Sequence, residues 1–236
     1  MPVLSVDLAY RRHRDIGVVL LTDDARELEA RFLQVDLHGD PKPDTLAEYF
    51  VNLASESHAS LLLVDGPQGW KDPHNGFEHS RVCERQLNTP AKTGLPGVVK
   101  PGNYGPFVAF SIAFFDQLSA RGWPRYQLAN NTAGTAVETF PLAAWRSLGL
   151  PTLPAKTKTS PTVLRQAKDA LLAARPTRLA AEPNHDELQA LVAAFAGLAL
   201  VRGSAAEVLL AGKPPFLLEG TYREGFIACP LRERPR

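Results

Sequence analysis

Alternation and periodicity of apolar residues divide this chain into short strands and helices. Leu61-Leu62-Leu63-Val64 is a run of four aliphatic residues bounded by polar and turn residues, which predicts a strand buried on both faces. Asp65 ends that run and Gly66-Pro67 turns the backbone, so a carboxylate is delivered at a strand's carboxyl end, where open α/β sheets place their ligands. Val3 to Ala9 alternates, with Leu4, Val6 and Leu8 on one face and Ser5 and Asp7 on the other. The polar run Arg11 to Asp15 connects it to a second strand, Ile16 to Leu21, and Leu28 to Val35 offers a weaker third.

Helical spacing takes over at Leu46, Tyr49, Phe50 and Leu53, where Thr45-Leu46-Ala47-Glu48 has the form of a capping box that opens a helix to about Ser57. Residues 70 to 104 are rich in Gly, Pro, Lys and His, broken by a helical piece over Arg81 to Leu87; they read as a substrate-facing insertion or, equally, as a surface excursion whose charges pair with each other. Phe107 to Leu118 reads as a core helix closed by Arg121-Gly122. Gly134 to Pro141 predicts a strand that delivers Glu138, followed by a helix from Leu142 to Leu148. After the basic stretch Pro154 to Thr159, Ser160-Pro161 starts another helix. Asn184, with Glu187 three residues on, caps a long Ala- and Leu-rich helix through Val201. Glu224 to Pro230 closes the pattern as a strand, and the charged tail after it is expected to fray.

The order strands, helix, buried strand, helices predicts an α/β fold, a mixed sheet flanked by helices. The 236 residues are expected to form a single domain with an inserted helical and loop region at about 70–130. Composition narrows the function classes. A net charge of +1 gives no general field toward nucleic acid or membrane, so an anionic substrate needs local cations or a metal. Cys83 and Cys229 are the only cysteines and lack zinc-site spacing, no stretch reaches the ~20 apolar residues of a membrane span, and a cytoplasmic location is expected.

Asp7, Asp65, Glu138 and Asp186 all fall at or near element ends, where the topology could gather them. Clustered carboxylates without cationic partners hold together at neutral pH only with protons or hard cations, which points to Mg2+ or Mn2+. Two such ions would suit phosphodiester hydrolysis. For Asp186, however, complementing a helix dipole is a sufficient role by itself. Arg81, Glu84 and Arg85, with Lys156 and Lys158, are the candidate substrate contacts, and nucleic acid is the candidate partner.

The series Asp7, VDGPQG at Asp65, RVCERQL at 81–87, ETFP at 138–141, Lys156/Lys158 with Arg165, NHDELQAL in the last helix and EGFIACP near the end resembles domain-of-unknown-function family 429. That family is described as predicted RNase H-like nucleases. The resemblance implies an RNase H-like mixed sheet whose first three strands are antiparallel. It also implies metal-holding acids on the first strand, a later strand and the last helix, places matched by Asp7, Asp65 and Asp186, with Glu138 as an added or alternative ligand. Two positions depart from the pattern: Gln189, which its spacing of three from Asp186 is expected to turn toward the same sheet ends, stands where family members often carry a second Asp, and Tyr10-Arg11-Arg12 replaces small residues after the first strand. The reading is therefore a metal-dependent nuclease, and the competing one a non-catalytic nucleic-acid or partner-binding module on the same fold. A phosphoryl-transfer enzyme would need a Gly-rich phosphate loop, which the chain lacks.

Overall fold

The computed structural model describes residues 1–24, 27–128 and 132–232. The tail expected to fray falls mostly outside them. Among these residues ten strands form: β1 (Pro2–Asp7), β2 (Gly17–Asp23), β3 (Leu28–Phe32), β4 (Leu61–Asp65), β5 (Lys92–Thr93), β6 (Val99–Lys100), β7 (Thr135–Thr139), β8 (Arg178–Leu179), β9 (Val208–Leu218) and β10 (Thr221–Pro230). Six α-helices accompany them: α1 (Pro43–Glu56), α2 (Val82–Leu87), α3 (Gly105–Ala120), α4 (Pro141–Ser147), α5 (Pro161–Ala174) and α6 (His185–Val201). Among the described residues, no helix is long and apolar enough to cross a membrane.

Eight strands make one sheet in the order β8-β3-β2-β1-β4-β7-β10-β9, and β5 and β6 form a separate small hairpin. β1, β2 and β3 pair antiparallel, whereas β4 and β7 add in parallel beside β1. The sheet is therefore mixed and opens with three antiparallel strands, the order that the family resemblance implies.

Both faces are covered, and the alternation of side chains sorts the core into two layers. Val3, Leu61, Leu63 and Val137 face α4, α5 and α6, while Leu4, Val6, Leu62, Val64 and Ala136 face α1 and α3. Asp7 thus does point away from Leu4 and Val6, but toward a second apolar layer rather than into open solvent. α6 lies flat on its layer because Gly197 leaves room: a Cβ there would come within 2.4 Å of Leu63 Cδ1.

Local signals decide most helix ends. Asn184 Oδ1 accepts from the Asp186 and Glu187 N–H groups at 2.9 and 3.0 Å, and Glu187 returns a bond to the Asn184 N–H, the capping box read from sequence. Ser160 Oγ likewise caps α5 through the Val163 N–H. The Thr45 box is not used. α1 begins earlier, with Pro43 in its first turn and Lys42 as an N-cap without a side-chain bond, because proline's fixed φ already suits a helix start. The whole of β9 was missing from the sequence pattern, since Gly212, Pro214 and Pro215 read as turn residues. An edge strand tolerates proline because one side of its backbone has no ladder to complete.

Packing at Gly197 leads to an expected outcome. Gly197→Val should lower stability by about 2 kcal/mol through overpacking against Leu63, measured as a shifted urea midpoint at unchanged slope. An unchanged midpoint would mean that α6 does not rest on β4 as described.

Candidate active site

Three acids converge at the carboxyl end of the central strands. Asp7 and Asp65 are direct register partners across the parallel β1–β4 pair, and Asp65 is in turn partnered by Thr139 of β7. Register partners project to the same face, so Asp7, Asp65 and Thr139 form a row toward α6, whose first turn carries Asp186. The close seating depends on Gly17, the β2 partner of Asp7. A Cβ on Gly17 would lie 2.2 Å from the Asp186 carbonyl carbon, so any larger residue would lift the start of α6 off the sheet.

The electrostatics of the row follow from crowding. Asp7 is held well above the usual carboxylate range by burial and then by the neighbouring charges of Asp65 and Asp186. Burial likewise pushes Asp65 up to about 7, and the two carboxyls share a hydrogen bond. Asp186 goes the other way. Burial would raise it, but hydrogen bonds from His185 and Lys156 hold it below its ordinary value. Lys156 Nζ donates to Asp186 Oδ2 and, at 3.1 Å, to Asp15 Oδ1. His185 Nδ1 lies 3.0 Å from Asp186 Oδ1, and its Nε2 2.8 Å from the Pro154 carbonyl. A lysine side chain thus supplies the positive charge at this end of the cluster.

Glu138 is not in that row. It follows Val137 on β7, so alternation sends it to the opposite face, where it is 3% exposed. There Arg81 donates to both of its oxygens at 2.7 Å, and the Gln68 N–H adds a third bond at 3.0 Å. Arg81 also donates to Glu84 Oε1 at 3.0 Å, and Glu84 Oε2 accepts from the N–H groups of Arg81 and Thr93. Arg81 and Glu84, expected to face substrate, are instead buried in an ion-pair network, because a desolvated guanidinium and carboxylate are stable only when paired and fully hydrogen-bonded. Arg85 and Lys158 remain exposed.

The network has a structural purpose: it fixes the turn that begins at Asp65. Gln68 is tied to Glu138 through its N–H and to the Phe226 carbonyl through Nε2 at 2.7 Å. Arg125, stacked 3.7 Å from the Tyr222 ring centroid, donates to the Gln68 carbonyl at 2.7 Å and to Asp116 at 2.6 Å. Glu224 adds a second anchor. It sits at a register shift in β10, fully buried, and accepts from the N–H groups of Asp72 and Val82 and from Asn75 Nδ2. Sequence reading missed Gly17, Gln68, Arg125 and Glu224, whose partners lie far along the chain; only the pairing of Glu84 with Arg81, three residues apart, had a local signal.

Gln189 also faces away from the acids. Its Oε1 accepts from Trp145 Nε1 at 2.8 Å, so helical spacing alone misplaces it beside Asp186. The extra family carboxylate would meet an indole N–H here rather than a cation.

Among the described residues, no three His, Cys, Asp or Glu side chains are already arranged as a metal site. The donor set nevertheless suits a hard divalent ion: Asp7, Asp65 and Asp186 offer only oxygens. No family model matches the chain, so membership of family 429 is not borne out, and no curated protein matches it either. Among solved structures, the chain is similar to one titled "Thermus thermophilus RuvC structure", with 11% identity, a TM-score of 0.40, and coverage of 86% of this chain and 98% of that one.

The raised carboxyls set a pH dependence. The folded chain binds more protons than the unfolded one between about pH 4, where a free aspartate titrates, and about pH 7, where Asp65 does. Stability without metal should therefore fall as pH rises through that window. Asp65→Asn should remove much of the slope and stabilise the protein in chelator at pH 8 by roughly 1–3 kcal/mol, discounted because both carboxyls still see solvent. Urea titrations at several pH values check this. An Asp65→Asn variant with the wild-type pH slope would contradict the proton-sharing pair.

Proposed function

We propose that the chain is a metal-dependent nuclease that hydrolyses phosphodiester bonds in nucleic acid. The single observation that carries this reading is the Asp7–Asp65 row: two acids on adjacent parallel strands, brought to the mouth of the sheet and facing a third acid on α6. Fold maintenance does not require it, because the same sheet satisfies its other buried acids, Glu138 with a dedicated arginine and Glu224 with two backbone N–H groups and the Asn75 amide. An acid pair left to share a proton costs stability, which is the mark of a functional site. The resemblance to family 429 supports the same assignment.

In this reading Asp7 and Asp65 hold a divalent cation through their carboxylate oxygens, with Asp186 as third donor. Bound there, the cation would supply Lewis-acid activation of water and of the scissile phosphate. Lys156 balances Asp186 before the cation arrives, and its exposed ammonium is then free to turn to a phosphate oxygen. Arg85 and Lys158 extend a modest basic rim. Glu138, Arg81 and Glu84 act indirectly by fixing the turn after Asp65. Gly17 keeps Asp186 within reach of the row. Both cysteines are free and buried, which suits a reducing, cytoplasmic setting.

Millimolar Mg2+ or Mn2+ should raise the melting temperature of the wild-type protein, by the equivalent of about 2.7 kcal/mol once the ion reaches a hundred times its Kd. Asp7→Asn and Asp65→Asn should fold yet show little of that gain, and both should lose cleavage of labelled oligonucleotides. Thermal melts with and without metal, paired with a cleavage assay, decide the matter. Wild type that gains no stability from either ion would sink the proposal.

A further inference from the structure

A cavity of about 180 Å3 opens beyond the carboxyl ends of β4 and β7, and Asp65 is part of its wall. A ligand seated in it therefore touches the acid row directly. Tyr104, Phe107 and Phe140 give the wall aromatic surface.

Size and charge restrict that ligand further. The volume falls below the ~300 Å3 at which pockets for drug-sized molecules begin, so it suits a single planar ring system rather than an extended chain. The one guanidinium on the wall, Arg81, is already committed to Glu138 and Glu84, which line the cavity as well. With Asp65 added, the wall is net acidic and disfavours a phosphate or carboxylate. A neutral heterocycle meets both conditions: it stacks on aromatic rings and brings no negative charge to an acidic wall.

We infer that this cavity receives one unstacked nucleobase of a single-stranded or locally opened nucleic acid, adjacent to the phosphodiester presented to Asp7 and Asp65. The inference rests on the nuclease reading and adds to it a substrate class. A base inside an intact duplex is stacked and paired and cannot enter, so paired substrates must open at this point. Because stacking on an aromatic ring is open to every base, the site tolerates different bases.

The test measures binding, in chelator, of a short single-stranded oligonucleotide and of an equally long strand whose sites are all abasic, with wild type and Tyr104→Ala. A 2-aminopurine in the intact strand reports base stacking by fluorescence. Wild type should bind the intact strand about tenfold more tightly than the abasic one, the order expected for one base stack, with a change in 2-aminopurine emission. Tyr104→Ala should lose that advantage while binding the abasic strand as wild type does. Equal affinity of wild type for the two strands, equal weakening of both by Tyr104→Ala, or no binding of either strand would overturn the base site. None of these outcomes touches the metal-linked stabilisation of wild type, so the cavity and the acid row fail separately.

Discussion

Two carboxyls on neighbouring parallel strands stand about one inter-strand spacing apart, ~4.8 Å, and a protein interior does not hold both charges there without a proton or a cation between them. Asp7 and Asp65 are in that position because β1 and β4 are paired in register at their last residues. The rest of the site is arranged around this repulsion. Asp186 is brought against the row by α6, and Gly17 removes the one side chain that would keep the helix away. Lys156 meets the excess charge at the helix end, where it is half-exposed and easily displaced, and among the described residues no basic side chain is bonded to the Asp7–Asp65 pair itself.

The contrast with Glu138 gives the argument its force. One step of side-chain alternation separates Thr139, in the acid row, from Glu138, on the other face of the same strand. Glu138 has a bidentate guanidinium and a backbone N–H, so its charge is permanently balanced and it serves to lock the Gly66–Gly69 turn through Gln68. Breaking such a buried pair by removing one partner typically costs ~3–5 kcal/mol, so its role in stability is large even though it lines the cavity and stands only one residue from the row. Two acids on one sheet end thus have opposite economies, one fixed by a cation in the sequence and one left to bind something from outside.

Much of the fold was legible because it rests on local rules. The aliphatic run at Leu61–Val64, the Asn184–Glu187 capping box and the Gly122 helix stop each act within a few residues, and each formed as read. β9 escaped because its prolines are turn signals everywhere except on a sheet edge, and edge position is a property of the finished sheet. The site was legible in part for a related reason. Asp7, Asp65 and Asp186 could be placed at element ends from sequence, but the face on which Glu138 projects depends on the β4–β7 register, and a strand buried on both sides carries no alternation from which to read it. Arg81 looked like a surface residue in a loop, since its partner Glu138 lies 57 positions away. Gln189 was misplaced by the same gap: helical spacing fixes its angle around α6, while Trp145, on another helix, decides what it meets.

The central claim is that the Asp7–Asp65 row is a cation site rather than a strained feature of the sheet. An anomalous difference map from crystals soaked in Mn2+ tests it most directly, because it reports position as well as binding. The account predicts a peak within ligand distance of both carboxyls, ~2.0–2.6 Å for hard cations on oxygen, with Lys156 withdrawn from Asp186. A peak elsewhere on the protein, or none while the two carboxyls keep their mutual hydrogen bond, would contradict it.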